Sequence, residues 1–233
     1  MTSKLPPNYF IAGTDTHVGK TVVSLLFMQF YYACGFQPFY LKPLQTGCSH
    51  PNTLESDARF IYEHIPELKH NNPSDSVIYC FKEPKAPWFA ARNEFSGIHY
   101  DQLIDTINLK ICQHSPVIIE SAGGLMVPID QSRLMIDLLS DINAIPILVA
   151  RAGLGTINHT LLSINAMKER KLKPYGIMLS ESDLVSPSHE MIEENIEAIK
   201  RFSGVKVMGI LKKTNDFNCL YENNCDLLRN NLP

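Results

Sequence analysis

Two lysines, a threonine and two carboxylates stand where they could handle phosphate: Lys20, Thr21, Lys42, Asp57 and Glu120. Lys20-Thr21 closes the stretch Ile11 to Thr21, IAGTDTHVGKT, which follows the apolar run Tyr9-Phe10-Ile11-Ala12 and opens a long apolar segment, Val22 to Ala33. A strand, a glycine-bounded loop and a helix in that order offer backbone N–H groups and a helix N-terminus to an anion. Gly13, Thr14, Asp15, Thr16, His17, Val18, Gly19, Lys20 and Thr21 therefore form the candidate phosphate loop, with Lys20 facing phosphate. Five residues separate Gly13 from Gly19 where the usual pattern has four, and Thr14 stands in place of the first glycine. An ordinary turn ending in a helix cap explains a lone Gly-Lys-Thr; the flanking strand and helix patterns carry the phosphate reading.

The other groups are expected at strand ends. Gln37 to Leu41 reads as a strand that Lys42-Pro43 stops at its C-terminal edge, where open α/β sheets bind ligands. Glu120 ends the apolar run Pro116 to Ile119, and a buried carboxylate there needs a cation or hydrogen-bond donors. Asp57 lies in the first turn of a short helix, Ser56 to His64; taken alone it reads as a helix N-terminal acid worth ~0.3–1 kcal/mol. The Thr21 hydroxyl with Asp57 and Glu120 makes an all-oxygen set of the kind that Mg²⁺ accepts. Ser121-Ala122-Gly123-Gly124 lets a ligand come close to backbone, and Gly153 to Asn158, at the start of a further helix, suits an anion such as a carboxylate. Both also read as plain glycine-rich turns. His17 is expected to point to solvent while its backbone binds, and no other histidine has metal-ligand spacing. Neither a Gly-x-Ser-x-Gly elbow nor a cysteine in a nucleophile's context occurs.

These residues need a frame of strands and helices. Thr21 to Cys34 is apolar on nearly every side apart from Ser24 and Gln29, which predicts a buried helix, ended by Gly35. Further strands are expected at Val77 to Phe81, Ile145 to Ala150, Tyr175 to Leu179 and Val205 to Leu211. Helices are expected at Tyr100 to His114, from Thr156 to about Lys171, and at His189 to Phe202, with a possible short one near Leu227. Apolar strands without alternation indicate a parallel sheet covered on both faces. The fold class is α/β: a doubly wound, mainly parallel sheet of six to seven strands flanked by helices, P-loop NTPase-like.

Composition bounds the rest. The 233 residues show no linker and no internal repeat, so residues 1–233 are expected to form one domain, and a hydrophobic fraction of 45% supplies its core. A net charge of −3 argues against nucleic acid or an anionic membrane as partner. The six cysteines lie without CxxC pairs, as in a reducing compartment. With no signal-length apolar run at the N-terminus and no span-length segment, a cytoplasmic protein is expected.

Taken together, five motifs resemble the dethiobiotin synthetase family, in order and over about Tyr9 to Gly209. They are Gly13 to Thr21, including the five-residue spacing; Leu41-Lys42-Pro43-Leu44-Gln45-Thr46-Gly47; Ser56-Asp57-Ala58; Glu120-Ser121-Ala122-Gly123-Gly124; and Leu154-Gly155-Thr156-Ile157-Asn158-His159. The resemblance implies a homodimer that converts 7,8-diaminononanoate, CO₂ (or bicarbonate) and ATP into dethiobiotin, ADP and phosphate. A carbamate forms first, attacks the γ-phosphoryl group, and the second amine closes the ureido ring. It further implies that Lys20, Lys42 and Thr16 act in catalysis and that Thr21, Asp57 and Glu120 hold Mg²⁺. Substrate would meet Lys42, Thr46, Glu120, Gly123 and Gly124, with Leu154, Gly155, Thr156 and Asn158 of a second subunit receiving its carboxylate. Ser180, Glu181 and Leu211 fall in the nucleobase region. There Ser180-Glu181 replaces the family's common Asn-Asp pair and Leu211-Lys212-Lys213 a Pro-containing loop, so weaker base discrimination is expected, because serine offers a single hydroxyl where an amide both donates and accepts. Two other readings are a related ATP-dependent amide ligase, whose extra glutaminase domain 233 residues cannot hold, and a partitioning or septum-site ATPase switch. The latter group carries a second lysine early in the loop, whereas Ala12-Gly13-Thr14 has none.

Overall fold

Tyr9–Gly13 (β1) is buried along its whole length, and its side chains alternate between two cores. Tyr9 and Ile11 face one core while Phe10 and Ala12 face the other, as a strand covered on both sides must. The computed structural model describes residues 5–182 and 186–232. The strands are β1, Phe39–Thr46 (β2), Val77–Phe81 (β3), Val117–Gly124 (β4), Ile145–Arg151 (β5), Gly176–Ser180 (β6) and Val207–Leu211 (β7). They form one seven-stranded sheet in the order β3-β2-β4-β1-β5-β6-β7, and every recorded pair is parallel. The doubly wound α/β expectation holds.

Lys20–Ala33 (α1), Asp57–Glu63 (α2) and Leu220–Arg229 (α8) cover one face. Tyr100–Gln113 (α4), Met135–Asp141 (α5), Thr156–Glu169 (α6) and His189–Ser203 (α7) cover the other, and Pro87–Asn93 (α3) packs on Phe81. The length of α1 follows from its apolar run, and Gly35, at φ +82°, turns the chain out of it as a residue with a side chain rarely would. Gln29, one of its two polar interior residues, donates through Nε2 to Phe217 O and accepts through Oε1 from Tyr221 N, which fastens α8 onto α1.

Two strand ends differ from expectation. β2 does not stop at Lys42-Pro43 but runs on to Thr46, and Glu120 lies inside β4, which continues to Gly124. The ladder between β2 and β4 does end where the sequence suggests, at Leu41 opposite Ile119; beyond it β2 continues on its pairing with β3, through Thr46 opposite Phe81. Pro43, with no N–H to give, thus falls after the last β2–β4 pair. The two strands part there, and the fork between them opens the sheet edge. α3 and α5 carry no periodic signal because seven residues make fewer than two turns. Among the described residues, no helix is long and apolar enough to cross a membrane.

Candidate active site

The fork between β2 and β4 meets the N-terminus of α1. Lys42, buried on β2, sets its ammonium group 2.8 Å from Glu120 Oε1, 2.9 Å from Asp57 Oδ2 and 3.1 Å from Ser121 O. All three of its protons thereby have acceptors. Thr21, in the first turn of α1, holds its hydroxyl 3.0 Å from both Asp57 Oδ1 and Glu120 Oε1. The second oxygen of Glu120 accepts from Ser24 at 2.9 Å and from the Tyr40 phenol at 2.9 Å. Glu120 is 1% exposed, and its carboxylate is met by four groups able to donate, as a buried polar group requires. Asp57 reaches the cluster because Ser56 caps α2 and Gln45 Oε1 accepts from the Asp57 N–H at 3.2 Å.

Charge shapes the titration of this cluster. Burial pushes the Lys42 ammonium toward neutrality, but Asp57 and Glu120 outweigh it and hold its pKa above the usual lysine range. Burial likewise raises Asp57, and Lys42 beside it reverses the shift, so that Asp57 stays below the usual carboxylate range. Tyr40 is pushed well above the ordinary tyrosine value, first by burial and then by Glu120. Lys20 has no such pairing: burial, reinforced by the Lys42 charge, lowers it to about 8. Its ammonium group donates to Asp15 O at 2.8 Å, across the loop's own backbone. Gly13 leaves room for this, since a Cβ there would lie 2.9 Å from Lys20 Nζ.

The loop itself is braced from β4, β5 and β6. Thr14 N donates to Val149 O, Arg151 pairs with Asp15 at 3.0 Å, and Thr16 N donates to Asp15 Oδ1. Gly19 is left-handed at φ +93°, and a Cβ on it would lie 2.5 Å from Ser180 Oγ, so only glycine fits both its backbone and its neighbour. His17, also left-handed at φ +57°, is exposed, in line with a residue whose backbone faces the ligand. Val18 is wholly buried and anchors the loop in the core.

A cleft of about 710 Å³ runs from this loop along the fork. Of the residues singled out from sequence, it is lined by Thr16, His17, Gly19, Lys20, Thr21, Lys42, Thr46, Asp57, Glu120 and Gly123. Gly124 instead packs on the phosphate loop, where a Cβ would lie 3.2 Å from Thr14 O. Ser180 and Leu211 are buried at the ends of β6 and β7, and the Leu211 carbonyl already accepts from Glu181 N. Ser182, on the same loop, reaches the cleft; its followers 183–185 lie outside the described residues. Leu154, Gly155, Thr156 and Asn158 do not line this cleft, and Leu154 is 88% exposed.

Sequence reasoning passed over Ser24 and Tyr40 as site residues, and also Glu55 and Lys85, which line the cleft. The signal for Ser24 was present, as a lone polar residue in an all-apolar turn three places after Thr21. Tyr40 lies two residues before Lys42 and so on the same face of β2.

A buried lysine at a helix N-terminus, a glycine-bounded loop and an adjoining hydroxyl-carboxylate cluster at the edge of a parallel sheet define a P-loop ATPase. A protein-family model described as an AAA domain matches residues 7–218. The ATP-dependent dethiobiotin synthetase BioD of Halalkalibacterium halodurans is 34% identical over 230 residues, covering 97% of this chain and 91% of that one. The biotin biosynthesis bifunctional protein BioCD of Bordetella avium is 37% identical over 204 residues, 87% of this chain but 39% of that protein. The chain belongs to the dethiobiotin synthetase family: it is an ATP-dependent ligase of biotin synthesis. A solved plasmid partition protein of Borrelia burgdorferi, with AMPPNP bound, shares the fold at a TM-score of 0.59 and 13% identity, over 94% of this chain and 90% of that one. That likeness extends to the fold alone.

Proposed function

We propose that the cleft carries out the reaction of the family on 7,8-diaminononanoate, CO₂ and ATP, in the cytosol, giving dethiobiotin, ADP and phosphate. The observation that carries the reading is the second buried lysine. Lys42 stands across the fork from the Lys20 loop, so one cation serves the nucleotide and the other a second anion in the same cleft. A substrate amine loses a proton and takes up CO₂ as a carbamate; Lys42, giving up one of its three acceptors, holds the carbamate oxygen, which attacks the γ-phosphorus and expels ADP. Lys20 leaves Asp15 O to neutralise charge on the transferring phosphoryl, and Thr16 and Thr46 orient the two reactants. Transfer of this type needs mainly alignment and charge compensation, both of which fixed side chains supply. The second amine then attacks the carbamoyl carbon, closes the ring and expels phosphate, with the diamine lying along Gly123.

The donor set also fits Mg²⁺. Thr21, Asp57 and Glu120 offer only oxygens, converging within the reach of one hydroxyl, and two carboxylates would repel a polyphosphate unless a cation stood between them. Held by these residues, Mg²⁺ would supply further charge neutralisation at the phosphate oxygens. The loop Leu154 to Asn158 completes the substrate site of a second copy of the chain by receiving the carboxylate at the α6 N-terminus, which makes the active unit a homodimer.

The test is dethiobiotin formation from purified protein, read alongside phosphate release. Phosphate release that requires both diaminononanoate and bicarbonate, with stoichiometric dethiobiotin, is the expected result. Release without that requirement, or release driven by DNA or lipid, would mean a nucleotide switch instead.

A further inference from the structure

Glu120 is held from two sides. Its Oε1 accepts from Lys42 and Thr21 at the cleft, while its Oε2 accepts from Ser24 and Tyr40 beneath it. The Ser24 hydroxyl also lies 3.0 Å from Lys20 O, and with one proton it serves one acceptor at a time. The Tyr40 phenol has a single hydrogen-bond partner among the described residues, Glu120 Oε2 at 2.9 Å. Tyr40 is 1% exposed, which shields that bond from bulk solvent. β2 thus delivers two donors from one face two residues apart, the ammonium of Lys42 to one oxygen and the phenol of Tyr40 to the other.

We propose that Tyr40 is a positioning residue, which with Ser24 pins Oε2 so that Glu120 presents only Oε1 to Thr21 and the cleft. A carboxylate free to rotate about its last bond could turn either oxygen, or both, toward an ion. Fixed at one oxygen, it becomes a one-point ligand, and Mg²⁺ tolerates little departure from octahedral geometry. A phenol suits this role better than a second cation, because it donates without cancelling the carboxylate's charge. The inference rests on the reading of Thr21, Asp57 and Glu120 as the Mg²⁺ ligands.

Tyr40→Phe tests it, with Tyr31→Phe as the matched control. Tyr31 is likewise a buried phenol, which donates to Tyr9 OH at 2.9 Å, away from the cleft. Calorimetry of ADP binding, with Mg²⁺ and with EDTA, measures the gain in affinity that the metal brings, and thermal unfolding measures stability. Tyr40→Phe is expected to cut that gain about tenfold, the effect of removing a metal ligand's outer partner, while ADP binding in EDTA is unchanged. Tyr31→Phe is expected to lower Tm and leave the gain intact. A full Mg²⁺ gain in Tyr40→Phe, whatever its Tm, overturns the positioning role. If Tyr40→Phe does not fold, Ser24→Ala probes the same oxygen: a reduced gain supports the role and an undiminished one overturns it. A wild type with no Mg²⁺ gain would overturn the metal reading and this inference with it, an outcome distinct from a gain that is present and survives Tyr40→Phe.

Discussion

Four donors converge on the Glu120 carboxylate, and two of them, Lys42 and Thr21, also touch Asp57. From sequence, Glu120 reads as a buried carboxylate at a strand end that needs a cation or hydrogen-bond donors, and the geometry supplies both. Glu120→Gln removes one partner of a buried ion pair, and the amide turns a donor toward groups that themselves donate. Roughly 3 kcal/mol or more of stability is expected to go with it, seen as a lowered Tm, together with weakened Mg²⁺ activation. An unshifted Tm would mean that Asp57 alone suffices for Lys42. Lys20 gives a second prediction. With its pKa lowered to about 8, it is half neutral at that pH, whereas bound phosphate favours the charged form. ADP binding in EDTA should therefore take up protons around pH 8 and weaken as pH rises above 8. Calorimetry in buffers of different ionisation heat measures the uptake, and pH-independent binding between 7 and 9 would contradict it. Lys20, Thr21 and Lys42 were legible because charge at a glycine loop or a strand end has few other uses. Tyr40 and Ser24 were not, because a tyrosine in a strand or a serine in an apolar helix reads as packing until its partner is known.

The strands and longer helices were readable from apolar runs, and their boundaries fell within a few residues of expectation. The exceptions, β2 and β4, ran on through Pro43 and Glu120 for a reason that lies in pairing: each has a neighbour whose ladder continues after the shared one ends. No single segment contains that information. The Asn-rich end showed α8 only as a short helix near Leu227, because the residues it buries, Leu220, Tyr221 and Leu228, are few and widely spaced. At the ends of β6 and β7, the side chain that replaces the family's amide is short, buried and pressed on Gly19. Ser180 is thus turned to the loop, and a nucleobase bound there would meet no side-chain amide at this position. Values of kcat/KM for ATP, GTP and CTP are expected to lie within about tenfold of one another, some ~1.4 kcal/mol. A strong preference for ATP that Ser180→Ala abolishes would refute this.

For the whole molecule, the exposed Leu154 and Leu162 stand apart from the cleft, on the loop and helix proposed to serve a second copy. Leu154→Asp would place a charge in that contact and should weaken the dimer by about tenfold or more. Sedimentation equilibrium gives the dissociation constant, and specific activity should fall on dilution in parallel with the dimer. Activity that stays constant on dilution to monomer would show each cleft to be self-sufficient. The strand order carries a kinetic consequence too. β4 is inserted between β1 and β2, so the second carboxylate of the cluster comes late: Glu120 lies 78 residues after Lys42 and 99 after Thr21. Early collapse can bring β1, α1 and β2 together, with Asp57 of α2 already beside Lys42, yet leave both Lys42 and Thr21 without Glu120. Competence to bind nucleotide with Mg²⁺ should then return only in the slowest refolding phase, when β4 enters the gap, so that the enzyme is assembled last at the point where it works.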